Sequence, residues 1–115
     1  NNNNEIIYEF KPRQTEVLNE QVAQDMINMM QKVVNEGTAN RLRTKYTIKG
    51  AITGKTGTTQ NQRDGWFMGC TPQWVGGAWM GANYPFIHFS SILYGQGANT
   101  ALPIWAKFYK KNRKR

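Results

Sequence analysis

Cysteine, histidine and long apolar runs are scarce in this 115-residue chain, and each shortage excludes a class of protein. Cys70 is the only cysteine, which excludes an internal disulfide, and His88 is the only histidine, so the sequence offers no set of metal ligands. We therefore expect neither a metal site nor a bound cofactor. No run of about 18 apolar residues occurs, so a membrane anchor is expected only upstream of these residues.

Serine is almost as scarce, and its positions exclude one type of catalytic motif. The chain contains two serines, Ser90 and Ser91. The third residues after them are Leu93 and Tyr94, which excludes Ser-x-x-Lys, the motif that pairs a serine nucleophile with a lysine. The second residues after them, Ile92 and Leu93, exclude Ser-x-Asn. The sequence therefore offers no serine nucleophile of this type.

Acidic residues are few and unevenly distributed. The formal net charge is +8, and beyond Gly37 only Asp64 opposes 12 lysines and arginines. We expect this half of the chain to be electropositive, which suits an anionic substrate. Terminal charge runs are usually solvated ends, and attraction to anionic lipid or an acidic polymer is the functional alternative. Without five basic residues near the C-terminus the net charge falls to +3; they are Lys110, Lys111, Arg113, Lys114 and Arg115.

The first third of the chain predicts an extended segment followed by a helix. Residues 1–18 are expected to form an extended lead-in, and residues 19–36 a helix that begins at Asn19 and stops at Gly37. Apolar residues recur here at spacings of three and four, which places them on one helix face that we expect to pack in the core. They are Leu18, Val22, Met26, Met29, Met30 and Val33.

The segment 48–81 predicts an antiparallel sheet meander. Residues 48–59 are interpreted as extended, and two runs rich in aromatic and β-branched residues follow at 65–70 and 74–80, separated by the turn residues Thr71-Pro72-Gln73. A final helix is predicted over 99–112. The aromatic residues expected in the core between sheet and helices, with one or two of them exposed to substrate instead, are Trp66, Phe67, Trp74, Trp79 and Trp105.

Together these elements predict an α+β fold, in which an antiparallel sheet of about three strands is flanked by two helices. The length fits one folding unit over residues 1–115.

The run Gly54-Lys55-Thr56-Gly57-Thr58-Thr59 is the most informative motif. It fails as a phosphate-binding loop, because the glycine spacing is one residue short and no helix start follows. As a strand it places Thr56 and Thr58 on one face, where two hydroxyls can bind one ligand carboxylate. Lys55 can reach round the strand with its long stem, and Gly57 leaves room for close approach of a ligand or a packed element.

Five elements in this order resemble the C-terminal part of the transpeptidase domain of class A, or bifunctional, penicillin-binding proteins. The resemblance implies an incomplete penicillin-binding transpeptidase fold. It also implies a peptidoglycan D,D-transpeptidase that cross-links stem peptides ending in D-Ala-D-Ala through an acyl-serine intermediate and binds β-lactams. The matching segments are 33–39, Gly54 to Thr59, Asp64 to Gly69, Trp74 to Gly81, and 95–105 from Gly95-Gln96-Gly97-Ala98 to Pro103-Ile104-Trp105.

The resemblance also implies roles for the residues of this motif. Lys55 is expected in the catalytic hydrogen-bond network, and Thr56, Gly57, Thr58 and Thr59 are expected to bind substrate, with the backbone N–H of Thr58 in the oxyanion hole. No position matches the nucleophile, so this fragment is expected to be inactive by itself. The full-length protein is expected to be anchored in the membrane, to face the extracytoplasmic (periplasmic) side, and to carry a glycosyltransferase domain upstream.

Several alternatives remain open at this point. A β-lactamase or D,D-carboxypeptidase of the same superfamily uses the same strand, and a non-catalytic homologue could bind cell-wall polymer or carboxylates without chemistry. Nucleic acid is not an expected partner, because no recognisable binding motif accompanies the basic charge. We expect Asp64 to orient its loop, and His88 to be structural. A fragment without upstream strands should expose an apolar face and an unpaired edge, so we expect self-association.

Overall fold

The computed structural model describes residues 15–84 and 86–113. Residues 1–14 of the expected lead-in lie outside the described residues, and residues 15–18 belong to no helix or strand. The described elements, in chain order, are α1 (Glu20–Asn35), α2 (Arg41–Thr44), β1 (Thr53–Thr58), β2 (Gly65–Thr71), β3 (Trp74–Met80), α3 (Ile92–Gly95) and α4 (Ala101–Asn112), with a 3-10 turn at Gln60–Gln62 between β1 and β2.

The three strands form one antiparallel sheet in the order β1-β2-β3. Thr56 pairs with Phe67 and Phe67 pairs with Ala78, so β2 lies in the middle. Thr71 pairs with Trp74, which leaves a two-residue hairpin turn of Pro72 and Gln73. This antiparallel sheet, accompanied by helices, confirms the α+β prediction.

The first part of the predicted extended segment is not a strand. Residues 48–52 precede β1 as an irregular connection in which Ile48 and Ile52 are buried. The guanidinium of Arg43 explains the difference, because it donates to the carbonyl oxygens of Ile48 at 2.8 Å and Gly50 at 2.9 Å. These carbonyls therefore bond to a side chain, and α2, which supplies Arg43, is too short to show a helical period in the sequence.

Helix α1 begins and ends at the expected signals. The Asn19 side chain accepts from the Gln21 N–H at 2.8 Å, and the Gly37 N–H donates to the carbonyls of Lys32 and Val33. Helix α1 approaches the sheet from Ile27 onward, and Val34 is its only fully buried residue. Most of the apolar stripe is therefore not core in this structure, since half or more of the surface of Leu18, Val22, Met26 and Met29 is exposed, whereas Val33 packs against the core.

Alternation along the strands gives the sheet two unlike faces. The covered face, which includes Phe67 of β2, packs against α4 and shares its buried cluster with Val34 of α1. The open face comprises Lys55, Trp66, Met68, Val75 and Trp79. Trp66, Met68 and Trp79 are 44–45% exposed and Val75 is 65% exposed, so Trp66 and Trp79 are the two of the five aromatic residues that lie outside the core. The other three aromatic residues do lie in or against the core.

Trp105 of α4 is the main contact between that helix and the covered face. Its ring lies edge-on to Phe67, with centroids 5.2 Å apart, and its Nε1–H donates to the Gly76 carbonyl at 2.9 Å. A Cβ at Gly69 would lie 2.5 Å from this indole, so the absence of a side chain in the middle of β2 admits the ring. The glycines of β2 and β3 thus fix where α4 lies.

Candidate functional site

Strand β1 carries the Lys-Thr-Gly motif at the edge of the described sheet. The side chains of Thr56 and Thr58 belong to the covered side of the strand, since Thr56 pairs with Phe67 and Thr58 pairs with the buried Gly65. Lys55 pairs with Met68 and belongs to the open face. The expected common face of Thr56 and Thr58 is therefore present, with Lys55 starting from the opposite side.

The Thr58 hydroxyl is held by the chain that leads into α4. Its Oγ1 accepts from the Gly97 N–H at 3.0 Å. This contact uses an oxygen lone pair and leaves the O–H hydrogen free to donate to a ligand. Thr58 is an exposed residue, and its hydrogen bond to Gly97 is partly buried.

Gly97 approaches β1 so closely that no side chain fits. A Cβ there would lie 2.3 Å from the Gly57 carbonyl oxygen and 2.4 Å from that of Trp66. Both are backbone atoms that cannot move aside independently. The Gly95-Gln96-Gly97-Ala98 segment therefore packs directly on the motif strand and supports Thr58.

The Thr56 hydroxyl has a partner that our sequence analysis did not single out. Its Oγ1 lies 2.8 Å from Oγ1 of Thr38, and either oxygen can be the donor. Thr38 follows α1 immediately, and the turn at Gly37 brings it to the strand. The signal in the sequence was the Gly37-Thr38-Ala39 segment, which ends the helix and belongs to the first of the matching segments.

Lys55 reaches back along its own strand. Its Nζ donates to the Thr56 carbonyl oxygen at 2.7 Å, and the side chain is exposed. The ammonium therefore lies against the backbone of Thr56, whose hydroxyl lies on the other side of the strand. A short motif thus brings one cation and two hydroxyls to a single stretch of strand edge.

Thr59 and Asp64 close the loop that follows β1. The Thr59 Oγ1 accepts from the Asp64 N–H at 3.0 Å and donates to Asp64 Oδ2 at 3.2 Å. The other carboxylate oxygen, Oδ1, accepts from Trp79 Nε1 at 3.0 Å. Asp64 therefore orients the loop, as expected, and ties it to β3. Thr59 is bonded inside this loop, away from the hydroxyls of Thr56 and Thr58.

The remaining titratable residues form no second centre in the part of the chain that the structure describes. His88 lies on the surface with Nδ1 3.0 Å from the Phe89 carbonyl. Within residues 15–84 and 86–113 no three metal-ligating side chains cluster. No helix of these residues is both long and apolar enough to cross a membrane.

Comparison with known proteins identifies the family of this chain. The family described as the penicillin binding protein transpeptidase domain matches residues 5–84. Penicillin-binding protein 1A of Aquifex aeolicus is 36% identical over 94% of this chain, and penicillin-binding protein 1B of Vibrio cholerae is 33% identical over 91% of it. Penicillin-binding protein 1A of Pseudomonas aeruginosa is 36% identical over 86%.

The chain belongs to the penicillin-binding protein transpeptidase domain family and corresponds to part of that domain in the class A proteins. It spans 14% of the Aquifex relative and 13% of the Vibrio relative. The activity and partners of a whole protein are therefore matters of inference for this chain.

Proposed function

We propose that this chain supplies the Lys-Thr-Gly strand of a serine-type peptidoglycan D,D-transpeptidase, which cross-links stem peptides through an acyl-serine intermediate and binds penicillin. The hydroxyl pair on β1 is the observation that carries the proposal. Thr58 keeps a free O–H because its oxygen accepts from Gly97, and Thr56 is steadied by Thr38. Two such donors at one strand edge suit the carboxylate shared by a D-Ala-D-Ala terminus and a β-lactam.

Lys55 adds the positive charge that this site needs. Its ammonium lies at the strand edge. Asp64 is the only acidic residue beyond Gly37, and its carboxylate accepts hydrogen bonds from Trp79 and Thr59 rather than from Lys55. The proposed role is to stabilise anionic species and to join the proton-transfer network around a serine nucleophile. The Thr58 N–H is proposed to serve the oxyanion hole, where one donor is worth about 3–4 kcal/mol. Gly57 and Thr59 complete the proposed substrate-binding run.

The nucleophile must come from outside these residues. Ser90 and Ser91 belong to no Ser-x-x-Lys or Ser-x-Asn motif, so the isolated chain is proposed to be inactive. The complete protein is proposed to be anchored in the membrane with this domain on the extracytoplasmic side and a glycosyltransferase domain upstream. Relatives named penicillin-binding protein 1A and 1B support the assignment to a penicillin-binding protein.

Covalent labelling tests the proposal directly. We would incubate a fluorescent penicillin with the 115-residue chain and with a longer chain extended upstream through a Ser-x-x-Lys motif, and measure intact mass. Labelling of the longer chain alone is expected. Labelling of the short chain would contradict the absence of a nucleophile, and labelling of neither would favour a non-catalytic cell-wall or carboxylate-binding homologue.

Variants of the longer chain then test the residue roles. Lys55→Ala is expected to slow acylation by about 10²–10⁴-fold, the range for a lost proton-transfer group. Thr58→Val is expected to slow it by about 10–100-fold through loss of a hydrogen bond to a charged ligand group. Lys49→Ala and Thr53→Val are the matched controls, since Lys49 is an exposed lysine before β1 and Thr53 belongs to the open side. Equal effects of the controls would refute the assignment.

Product analysis separates the enzymes of this superfamily. A transpeptidase transfers the acyl group to an amine of a second stem peptide, whereas a D,D-carboxypeptidase or a β-lactamase transfers it to water. Mass analysis of products from the longer chain, with an acceptor peptide present, is expected to show the cross-linked product. Hydrolysed product alone would assign the chain to one of the hydrolases.

We also propose that the isolated chain self-associates through the open face. Trp66, Met68, Val75 and Trp79 form an exposed apolar surface on the sheet. Sedimentation velocity over a range of concentrations is expected to show a species larger than the monomer, and Met68→Lys with Val75→Lys is expected to shift it to the monomer. Lys substitutions at Val17, which is exposed before α1, and at Val22, which is exposed on α1, are the controls. A monomer at every concentration would overturn this proposal.

A further inference from the structure

Helix α4 presents a second surface, distinct from the motif strand, in which cations and apolar side chains alternate. Its inward side buries Leu102, Trp105 and Ala106. Its outward residues follow a spacing of three and four, which places them on one face. We call Ile104, Lys107, Phe108 and Lys111 the outer face of α4.

The apolar members of this outer face are open to solvent. Ile104 is 49% exposed and Phe108 is 54% exposed. Phe108 stacks on Trp74 of β3, with ring centroids 5.9 Å apart. A groove between α4 and β3 continues the apolar surface and is lined by Trp74, Trp79, Ile104 and Phe108.

The cations around this surface have no acidic neighbour in sequence. Lys107, Lys110, Lys111 and Arg113 are all exposed, and no Asp or Glu follows Asp64. The carboxylate of Asp64 accepts hydrogen bonds from Trp79 and Thr59. The surface is therefore complementary to a negatively charged partner.

We infer that the outer face of α4 binds the surface of a bilayer that contains anionic phospholipid. A soluble polyanion would satisfy the lysines but leave Ile104 and Phe108 in water. A bilayer satisfies both, because its headgroups attract the lysines while the apolar side chains enter the boundary with the acyl chains. A basic amphipathic helix with an aromatic residue on its apolar side is typical of such binding. This inference uses no residue of β1 and does not depend on the proposed transpeptidase activity.

Vesicle co-sedimentation of the 115-residue chain tests the inference. We expect binding to vesicles of phosphatidylcholine mixed with phosphatidylglycerol, little binding to phosphatidylcholine alone, and a loss of binding as salt is raised. Lys107→Gln with Lys111→Gln is expected to weaken binding about 30-fold, from the usual contribution of each basic residue near an anionic surface. Ile104→Ser is expected to weaken it about tenfold through lost apolar burial.

Matched variants keep the test specific. Lys32→Gln with Lys49→Gln removes two exposed lysines elsewhere, and Val22→Ser removes an apolar side chain on α1 that is exposed to the same extent as Ile104. Both are expected to leave vesicle binding unchanged. All of the substituted side chains lie at the surface, so every variant is expected to keep its fold. Circular dichroism checks this expectation.

Four results would overturn the inference. Equal binding to neutral vesicles, or equal losses in the control variants, would show that any exposed apolar surface of the chain suffices. Binding to soluble polyphosphate that competes with vesicles and is insensitive to Ile104→Ser would identify an acidic polymer as the ligand. A dimer that Ile104→Ser converts to a monomer would identify the outer face as a contact between two copies.

Discussion

Phe67 and Met68 are consecutive residues of β2, yet they lie in opposite environments. Phe67 is fully buried on the covered face between glycines and Trp105, whereas Met68 is 44% exposed on the open face. An antiparallel sheet with one solvated face usually alternates apolar and polar residues. Here the open face is also apolar, which is the composition of a sheet that is covered on both sides. The comparison shows that burial in this fragment is decided by which face has helices, rather than by the hydrophobicity of the strand.

Truncation of the two neighbouring side chains should give the largest difference between the faces. Phe67→Ala is expected to lower the free energy of unfolding by about 3–5 kcal/mol, because it opens a cavity under Trp105. Met68→Ala is expected to cost about 1 kcal/mol or less, since the side chain is already partly in water. Urea titration followed by circular dichroism measures both. Similar losses in the two variants would mean that the open face is packed in solution.

Adding a methyl group should also destabilise the packed side of the sheet more than the open face. Gly97→Ala forces a Cβ against the backbone carbonyls of Gly57 and Trp66 and is expected to cost about 1–3 kcal/mol. Gly77→Ala on the open face is close only to the movable end of the Met68 side chain, with the Phe67 carbonyl oxygen at an ordinary 3.8 Å, and is expected to cost much less. Thermal unfolding compares the pair. An unchanged melting temperature for Gly97→Ala would contradict the close packing of this segment on β1.

The link between Asp64 and Trp79 tests whether the open face is ordered without a covering layer. Asp64→Ala removes the acceptor of Trp79 Nε1 and of the Thr59 hydroxyl, and is expected to cost about 1 kcal/mol because water can replace part of the loss. The same variant should shift the tryptophan fluorescence to longer wavelength. Asp25→Ala, which alters an exposed carboxylate on α1, is the control. Equal spectra for Asp64→Ala and the control would show that Trp79 is not held by this bond.

The smallest effects are expected in the first turns of α1, which extend beyond the covered face. Asn19→Ala removes the N-cap bond to Gln21 and is expected to cost about 0.5–1 kcal/mol. Asn28→Ala in the middle of the same helix is expected to stabilise it slightly, because alanine has the better helix propensity. Amide hydrogen exchange in α1 measures both changes. Effects of the same sign would indicate that tertiary contacts, and not capping and propensity, hold these turns.

Much of the fold was predictable because its signals are local. Asn19 and Gly37 mark the two ends of α1 through capping chemistry. The turn at Pro72 sets the β2–β3 hairpin, and the apolar spacing of α4 indicates a helix. The strand of Lys55, Thr56 and Thr58 was found from the motif alone, and alternation placed the two threonines on one side. The start of β1 was missed because Arg43 takes the carbonyls of Ile48 and Gly50, which no local pattern reveals.

Some features of the site depend on contacts between residues far apart in the chain. Thr38 lies 18 positions before Thr56, and Gly97 lies 39 positions after Thr58, yet each holds one hydroxyl of the motif. It was also unpredictable which residues of the α1 stripe and which tryptophans are exposed, since periodicity shows that residues share a face but not whether another element covers it. The sequence by itself therefore determined the family, the helices, the hairpin and the motif strand. Only the tertiary structure decided which side chains support the motif and which apolar face is left open, because these depend on packing between distant segments.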